Sequence, residues 1–265
     1  MTLPVRIAVN GATGRMGRAV LDLARADARF ALRAAVIAAG AEQVGAPVAG
    51  VDAPGALRYA AGWGEAPGLD VVVDFSTPAG LAAALDHCEA HGVALVAGTT
   101  GLDAALERRL QQAGARIAVV HAANFSLGVA VLTRALREAA AALPGWDLEI
   151  IEAHHNRKED APSGTALALG RAAAAARGMT LEAEAVYARE GRPGARRTGS
   201  IGFAAVRGGD IVGEHTALLA GAGERLELVH RATDRAIFAR GALAAAAWLA
   251  GRAVGVYTLD DVLAM

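Results

Sequence analysis

One cysteine, one lysine and almost no net charge mark this 265-residue sequence by what they exclude. A lone cysteine, Cys88, rules out a disulfide framework and zinc sites built from paired cysteines. It suggests a reducing compartment, and the expectation is a cytoplasmic protein. The formal net charge is −1, with 54% hydrophobic and 20% charged residues. A nucleic-acid binder would be strongly basic, and a disordered chain would be polar and highly charged. No long apolar run is present. The most apolar C-terminal stretch, Gly241 to Ala250, lies between Arg240 and Arg252 and is too short to span a bilayer. The first ten residues lack the basic start and apolar run of a secretory signal. No nucleic-acid or membrane partner is expected. The length suits one large domain or two medium ones, with enough core to need no staples.

Lys158 is the only lysine among 26 Lys plus Arg. Alanine is abundant too, so the composition has drifted toward Ala and Arg. Against that drift, a surviving lysine marks a site needing an amine that can lose its proton, which arginine does not do. Chance survival is the bland alternative. The position of Lys158 also removes enzyme classes. It follows Arg157, so there is no Gly-Lys-Ser/Thr phosphate loop. No lysine stands early in the chain, as a protein kinase requires. Four residues before it is His154, so the Tyr-x-x-x-Lys mechanism of short-chain dehydrogenases is out of reach.

Along the first third, short apolar runs alternate with helix-period segments. Strands are expected at 5–10, 30–37, 70–75, 93–97 and 116–120, and helices at 14–25, 78–91 and 103–113. That rhythm indicates a parallel sheet with both faces covered. Between Ala38 and Gly68 the pattern dissolves into Gly, Pro and Ala, read as an irregular connection. After Asn124 the rhythm changes. A helix at 127–143 precedes a strand at 147–153 and a helix at 163–177. Strand-like runs follow at 200–206, 213–219 and 225–230, split by Gly turns and read as antiparallel hairpins. An Ala-rich helix, 236–250, and a short tail, 259–263, close the chain. The fold class is therefore α/β: a Rossmann-like parallel-sheet nucleotide domain, then an α+β domain with a mainly antiparallel sheet.

Gly11-Ala-Thr-Gly14-Arg-Met-Gly17 stands between a strand and a helix. Glycine there permits a tight turn, close approach of a pyrophosphate, and close helix–strand packing. The helix N-terminus faces the phosphates. A merely structural turn is the alternative. The carboxylate that binds an NAD ribose, about 20 residues on, is missing: Ile37, Ala38 and Ala39 stand there, and Glu42 is the nearest acid. Arg15 is the only obvious basic candidate for a 2′-phosphate. NADH and NADPH both stay open. Gly98-Thr99-Thr100-Gly101 and Ala122-Ala123-Asn124-Phe125-Ser126 follow the next strands at the edge where open sheets bind ligands. They read equally well as ordinary turns capped by Asp103 or Ser126.

The segment Glu152 to Ala166 gathers His154, His155, Arg157 and Lys158 within five residues, then Ser163-Gly164-Thr165 at a helix start. Such a cluster can bind carboxylates and move protons; a solvated basic loop is the bland reading. No metal is expected, because a third ligand and the HExxH spacing are lacking. His87 and His91, on one helix face beside Cys88, read as packing, as do Trp63, Trp146 and Trp248.

At these residues the sequence resembles the dihydrodipicolinate reductase family of bacterial lysine (diaminopimelate) biosynthesis. GATGRMG, DFSTP (74–78), GTTG (98–101), AANFS (122–126), EAHHNRK (152–158), DAPSGTA (160–166) and RGGDIVGEHT (207–216) carry the resemblance, which covers nearly the whole chain. It implies NAD(P)H-dependent reduction of 4-hydroxy-tetrahydrodipicolinate, a small dicarboxylate. His154 would be a proton donor or acceptor and Lys158 a proton donor. His155, Gly164 and Thr165 would bind the substrate carboxylates. Gly11, Ala12, Thr13, Gly14, Arg15 and Met16, with Gly98, Thr99 and Thr100 and with Ala122, Ala123, Asn124 and Phe125, would hold the cofactor. The resemblance places Ile37 where the family has its ribose-binding Glu, and Ala38 where it has a basic residue. It also makes the nucleotide domain discontinuous, 1–125 plus 236–265, around a substrate and oligomerisation domain at 126–235, with the second sheet joining a homotetramer. The rivals are a dehydrogenase of another small amino diacid, of the aspartate dehydrogenase kind, and a non-catalytic NAD(P) sensor. A sensor has no reason to keep the His-His-x-x-Lys cluster.

Overall fold

A computed structural model describes residues 3–48, 50, 55–64 and 68–264. In chain order the first elements are β1 (Val5–Asn10), α1 (Arg15–Arg25), β2 (Phe30–Val36), β3 (Tyr59–Ala60), β4 (Val71–Asp74), α2 (Pro78–His91), β5 (Ala94–Ala97), α3 (Ala104–Ala113) and β6 (Ala118–His121). Next come α4 (Leu127–Ala142), β7 (Asp147–His154), α5 (Gly164–Ala176), α6 (Leu181–Glu184), β8 (Ala185–Val186), β9 (Ile201–Arg207), β10 (Gly213–Ala220) and β11 (Arg225–Ala232). The last are α7 (Ala236–Leu249), β12 (Gly255–Tyr257) and α8 (Leu259–Leu263). The chain divides into two compact units, Met1–Leu127 with Ala236–Met265, and Gly128–Arg235.

In the first unit one sheet runs β12-β6-β5-β4-β1-β2-β3, every neighbouring pair parallel. Helices cover both faces of such a sheet, so its central strands read as continuous apolar runs. β4 and β5 are buried at every residue. α1 turns Gly17, Val20, Leu21 and Ala24 inward, one stripe at helical spacing. Thr77 caps α2, its hydroxyl accepting from the Gly80 amide at 3.1 Å with Pro78 in the first turn, and Asp103 caps α3. α7 packs on α1 and against β4, β5 and β6. A side chain at Gly241 would collide with the Phe125 carbonyl, so this helix needs glycine there. Chain order reverses between β1 and β4, which places a switch point at their carboxyl ends.

In the first unit, two edge strands are additions to the sequence reading. β3 lies within the stretch expected to be irregular, of which 49, 51–54 and 65–67 are outside the described residues. β12 precedes the tail helix. At two and three residues, each is too short to show a period.

In the second unit the sheet runs β11-β10-β7-β9-β8. β10 pairs antiparallel with β7 and β11, and these ladders hold more residue pairs than the parallel ones of β9 with β7 and β8. One expected hairpin forms, β10–β11. The other does not: β9 and β10 are separated by β7, and the Gly208–Gly209 turn crosses its end, with the Gly208 amide donating to the His154 carbonyl at 2.9 Å. Glycines mark where a chain turns, but not which strand it meets. Burial alternates along all of β10 and along β7 as far as Glu152. The inner face, with Leu148, Ile150, Ala217 and Leu219, joins Leu132, Leu136, Ala166 and Leu169 of α4 and α5 in one core.

Candidate active site

Every residue expected at the cofactor lies on the carboxyl edge of the first sheet, after β1, β5 or β6. Gly11 leaves β1 at φ +76, and its amide and that of Ala12 both donate to the Val36 carbonyl, at 3.0 and 3.1 Å. A side chain at Gly11 would collide with the Phe75 carbonyl, and one at Gly17 with the Gly11 carbonyl. Gly14 is the α1 N-cap, with no side-chain cap and no acid in the first turn. The start of α1 thus presents amides, with exposed Gly14 and Arg15, and this fits a pyrophosphate. Thr13 and Met16 are half-buried.

Beneath this edge sits a polar knot. Asp74, the last residue of β4, is wholly buried. It accepts from Asn10 Nδ2 at 2.7 Å and from the hydroxyls of Ser76 and Thr99, each at 2.5 Å. Thr99 in turn accepts from the Ser76 amide at 2.9 Å. Burial pushes the Asp74 carboxyl up, and its hydroxyl and amide donors only partly offset this. β1, β4 and β5 are fastened together here at their ends.

Ala12, Thr99 and Phe125 are buried, so their side chains serve the interior of these loops. Thr100 and Ala123 are exposed, and Gly98, Ala122 and Asn124 half-buried. Gly98 is required by packing, because a Cβ there would enter the Phe75 ring. That ring meets Phe125 edge-on at 5.7 Å. Asn124 Oδ1 accepts from the Ser126 amide at 2.8 Å. Ile37 is buried and Ala38 exposed, so neither supplies a polar group to a ribose.

The second unit carries the histidine–lysine cluster at the end of β7. The period-two alternation that buries Leu148 and Ile150 also turns Glu152 and His154 inward. Glu152 is fully buried and surrounded by donors. His154 Nδ1 is 2.6 Å from one oxygen, the Ser163 amide 3.0 Å from the other, and Arg207 grips both, at 2.8 and 2.7 Å. Burial alone would raise this carboxyl; Arg207, His154 and Ser163 outweigh it, and the net direction is down. His215 lies edge-on to His154, ring centroids 5.2 Å apart, with Nε2 at 3.0 Å from Ser163 Oγ. Burial first, then the field of His154, lowers His215 to about 4, so it is neutral at pH 7.

The chain turns at 155–158, with the Lys158 amide donating to the His155 carbonyl at 3.1 Å. The Lys158 ammonium is clasped by both Asp160 oxygens, at 2.7 and 2.9 Å. This holds the Asp160 carboxyl low. Desolvation, then the positive charges of Arg235 and Arg157, lower His155. Ser163 caps α5 through the Ala166 amide. The next residue, Gly164, is exposed with open space where a Cβ would stand, and Thr165 follows half-buried. His154, His155, Lys158, Gly164 and Thr165 are therefore brought together in one unit.

Elsewhere, Trp63, His87 and His91 form a stack, with centroids 4.6 and 4.4 Å apart. Among the described residues, no group of three His, Cys, Asp or Glu could hold a metal ion, and no helix is long and apolar enough to cross a membrane. The sequence reading assigned no role to Asp74, Glu152, Asp160, Arg207 or His215. Two had a signal: Glu152 occupies a core-facing position of an alternating strand, and Asp74 ends a wholly apolar one.

The model of the dihydrodipicolinate reductase N-terminus matches residues 5–125, and that of the C-terminus residues 128–263. A 4-hydroxy-tetrahydrodipicolinate reductase of Thiobacillus denitrificans is 50% identical over 277 residues, covering 99% of this chain and 100% of the relative. One of Nitrosomonas europaea is 47% identical over 271 residues, covering 99% of each. A solved dipicolinate-bound dihydrodipicolinate reductase from Paenisporosarcina shares the fold, with TM-score 0.77 at 22% identity over 97% of this chain and 98% of the other. With both halves matched and half its residues shared end to end with a relative, this chain belongs to the dihydrodipicolinate reductase family.

Proposed function

We propose that the chain reduces 4-hydroxy-tetrahydrodipicolinate to tetrahydrodipicolinate, using one hydride and one proton and releasing one water. One observation carries this reading: an imidazole held by a buried carboxylate, the ammonium of the only lysine and an open helix start share the end of β7. When bound, the dihydronicotinamide supplies the hydride. The α1 N-terminus and the loops after β5 and β6 would hold that cofactor. In the second unit, His155 and the amides at Gly164 and Thr165 would bind the substrate carboxylates. His154 would hold or pass a proton at Nε2, since Nδ1 is committed to Glu152. Lys158 would donate a proton, with Asp160 keeping its ammonium in place until a substrate carboxylate competes for it. Arginine in that place would keep the charge but not the proton transfer.

With Ile37 buried and Ala38 uncharged, neither of these residues rewards a free ribose hydroxyl or repels a 2′-phosphate. We therefore assign use of both NADH and NADPH. The single buried thiol, Cys88, suits the cytoplasm. The outer face of the second sheet exposes Ala204, Val206 and Val229, and a homotetramer assembled through it would cover them. Light scattering at micromolar concentration reads four chains in that case, and one chain if the face stays open. The activity is tested by NAD(P)H oxidation with freshly made 4-hydroxy-tetrahydrodipicolinate, beside oxaloacetate plus ammonia. Oxidation with the first alone is expected; turnover of the second alone makes the chain an amino-diacid dehydrogenase, and binding without turnover makes it a sensor.

A further inference from the structure

We infer that Glu152 is a positioning residue that fixes His154 in one tautomer while anchoring the start of α5. The inference rests on the reading of His154 as a proton carrier.

Its two oxygens have separate tasks. Oε1 accepts from the Ser163 amide and Arg207 Nη2; Oε2 accepts from His154 Nδ1 and Arg207 Nη1. An ionised carboxylate only accepts, so the hydrogen on the His154 ring must sit on Nδ1. Nε2 is then the atom that gains or loses a proton. Gly213 stands beside it, where a Cβ would be 3.0 Å from Nε2, so the absent side chain leaves that nitrogen room. The charged and titratable groups around Glu152 come from every neighbouring element. They are His154 on its own strand, Arg207 on β9, His215 across from it on β10, and Lys158 with Asp160 in the following turn. Arg207 also donates to the Asp160 carbonyl at 2.7 Å, tying that turn to the same carboxylate.

Glu152→Gln separates the tasks. A main-chain amide can only donate, so the side-chain oxygen stays on Ser163 and the new NH2 group faces His154. Nδ1 must then accept, and the ring hydrogen moves to Nε2, the wrong tautomer for taking a proton there. The equivalent lesion in a Ser-His-Asp triad costs about 10⁴ in kcat. Arg207 would be left without its counter-charge, so the double variant Glu152→Gln/Arg207→Leu removes both charges together and serves if the single variant fails to fold. His154→Asn is the reference.

The experiment measures kcat, KM, NADPH affinity and the affinity for pyridine-2,6-dicarboxylate in these variants. The expected result is a fall in kcat of roughly 10²- to 10⁴-fold in the Gln variants, with KM and both affinities within about threefold of wild type. A purely structural role would weaken dicarboxylate binding and leave kcat near wild type; that result overturns the inference. If His154→Asn keeps wild-type kcat, the proton-carrier reading itself is wrong and the inference goes with it. If His154→Asn is inactive and the Gln variants are not, only the positioning role is overturned.

Discussion

Each unit builds its candidate site around one buried carboxylate, and the two are handled in opposite ways. Among the described residues, the donors to Asp74 are the neutral side chains of Asn10, Ser76 and Thr99, and its carboxyl is pushed up by burial. Glu152 meets Arg207 and His154 as well as an amide, and is held down despite its burial. A carboxylate among hydroxyls can fasten strand ends together, but it brings no cation to work with. One gripped by a guanidinium stays ionised, and an ionised acceptor can dictate where an imidazole carries its hydrogen. On the proposed function, the first arrangement suits a unit that holds a cofactor and the second a unit that moves protons.

Four expectations sharpen or break that contrast. The largest concerns stability. Glu152→Gln strands a partly buried Arg207 and should cost about 3–5 kcal/mol, with most of the loss recovered when Arg207→Leu is added. Urea unfolding of both variants reads it; a single variant as stable as wild type would mean that Glu152 is not truly charged.

Next comes pH. The unfolded chain protonates His215 as pH falls through 6.5, whereas the folded chain, where burial and then His154 oppose the charge, holds out to about 4. Stability from this group is therefore complete above pH 6.5 and is lost progressively toward pH 4, by about 3 kcal/mol. His215→Asn should flatten the stability–pH curve by that amount. Parallel curves would contradict the burial of a neutral imidazole.

Asp74→Asn should be milder, about 1 kcal/mol, because the hydroxyls of Ser76 and Thr99 can turn to face a neutral partner. Its effect should fall on NADPH affinity, through the loops after β4 and β5, and spare binding of pyridine-2,6-dicarboxylate. Fluorescence titration with both ligands separates the two. The smallest effect is cofactor choice: kcat/KM for NADH and NADPH within roughly tenfold, about 1.4 kcal/mol. A thousandfold preference would place a selective contact elsewhere than residues 37 and 38.

What the sequence made legible follows from range. The parallel sheet could be read because strands covered on both faces run as continuous apolar stretches, as Val71 to Val73 does ahead of Asp74. The EAHHNRK segment stood out because lysine occurs once. β3 and β12 could not be read, since two or three residues carry no period. The expected β9–β10 hairpin was replaced by a β7–β9 pairing. That pairing is parallel, spans some fifty residues and leaves no local mark. Arg207 is one of 25 arginines, and only the fold shows that it is the one gripping Glu152. Glu152 itself was within reach, because a strand alternating Leu148, Ile150, Glu152 places the carboxylate in the core.

The division of labour between the units meets its most direct test at Lys158, which Asp160 holds in the second unit. Lys158→Arg preserves charge and reach and removes only a proton that can be given up. Steady-state kinetics with 4-hydroxy-tetrahydrodipicolinate, together with an NADPH binding titration, give both halves of the answer. The expected result is a kcat lower by roughly 10²- to 10⁴-fold at unchanged NADPH affinity. A near-wild-type kcat with a raised KM would make Lys158 a carboxylate anchor and contradict the assignment of proton donation to this unit's only lysine.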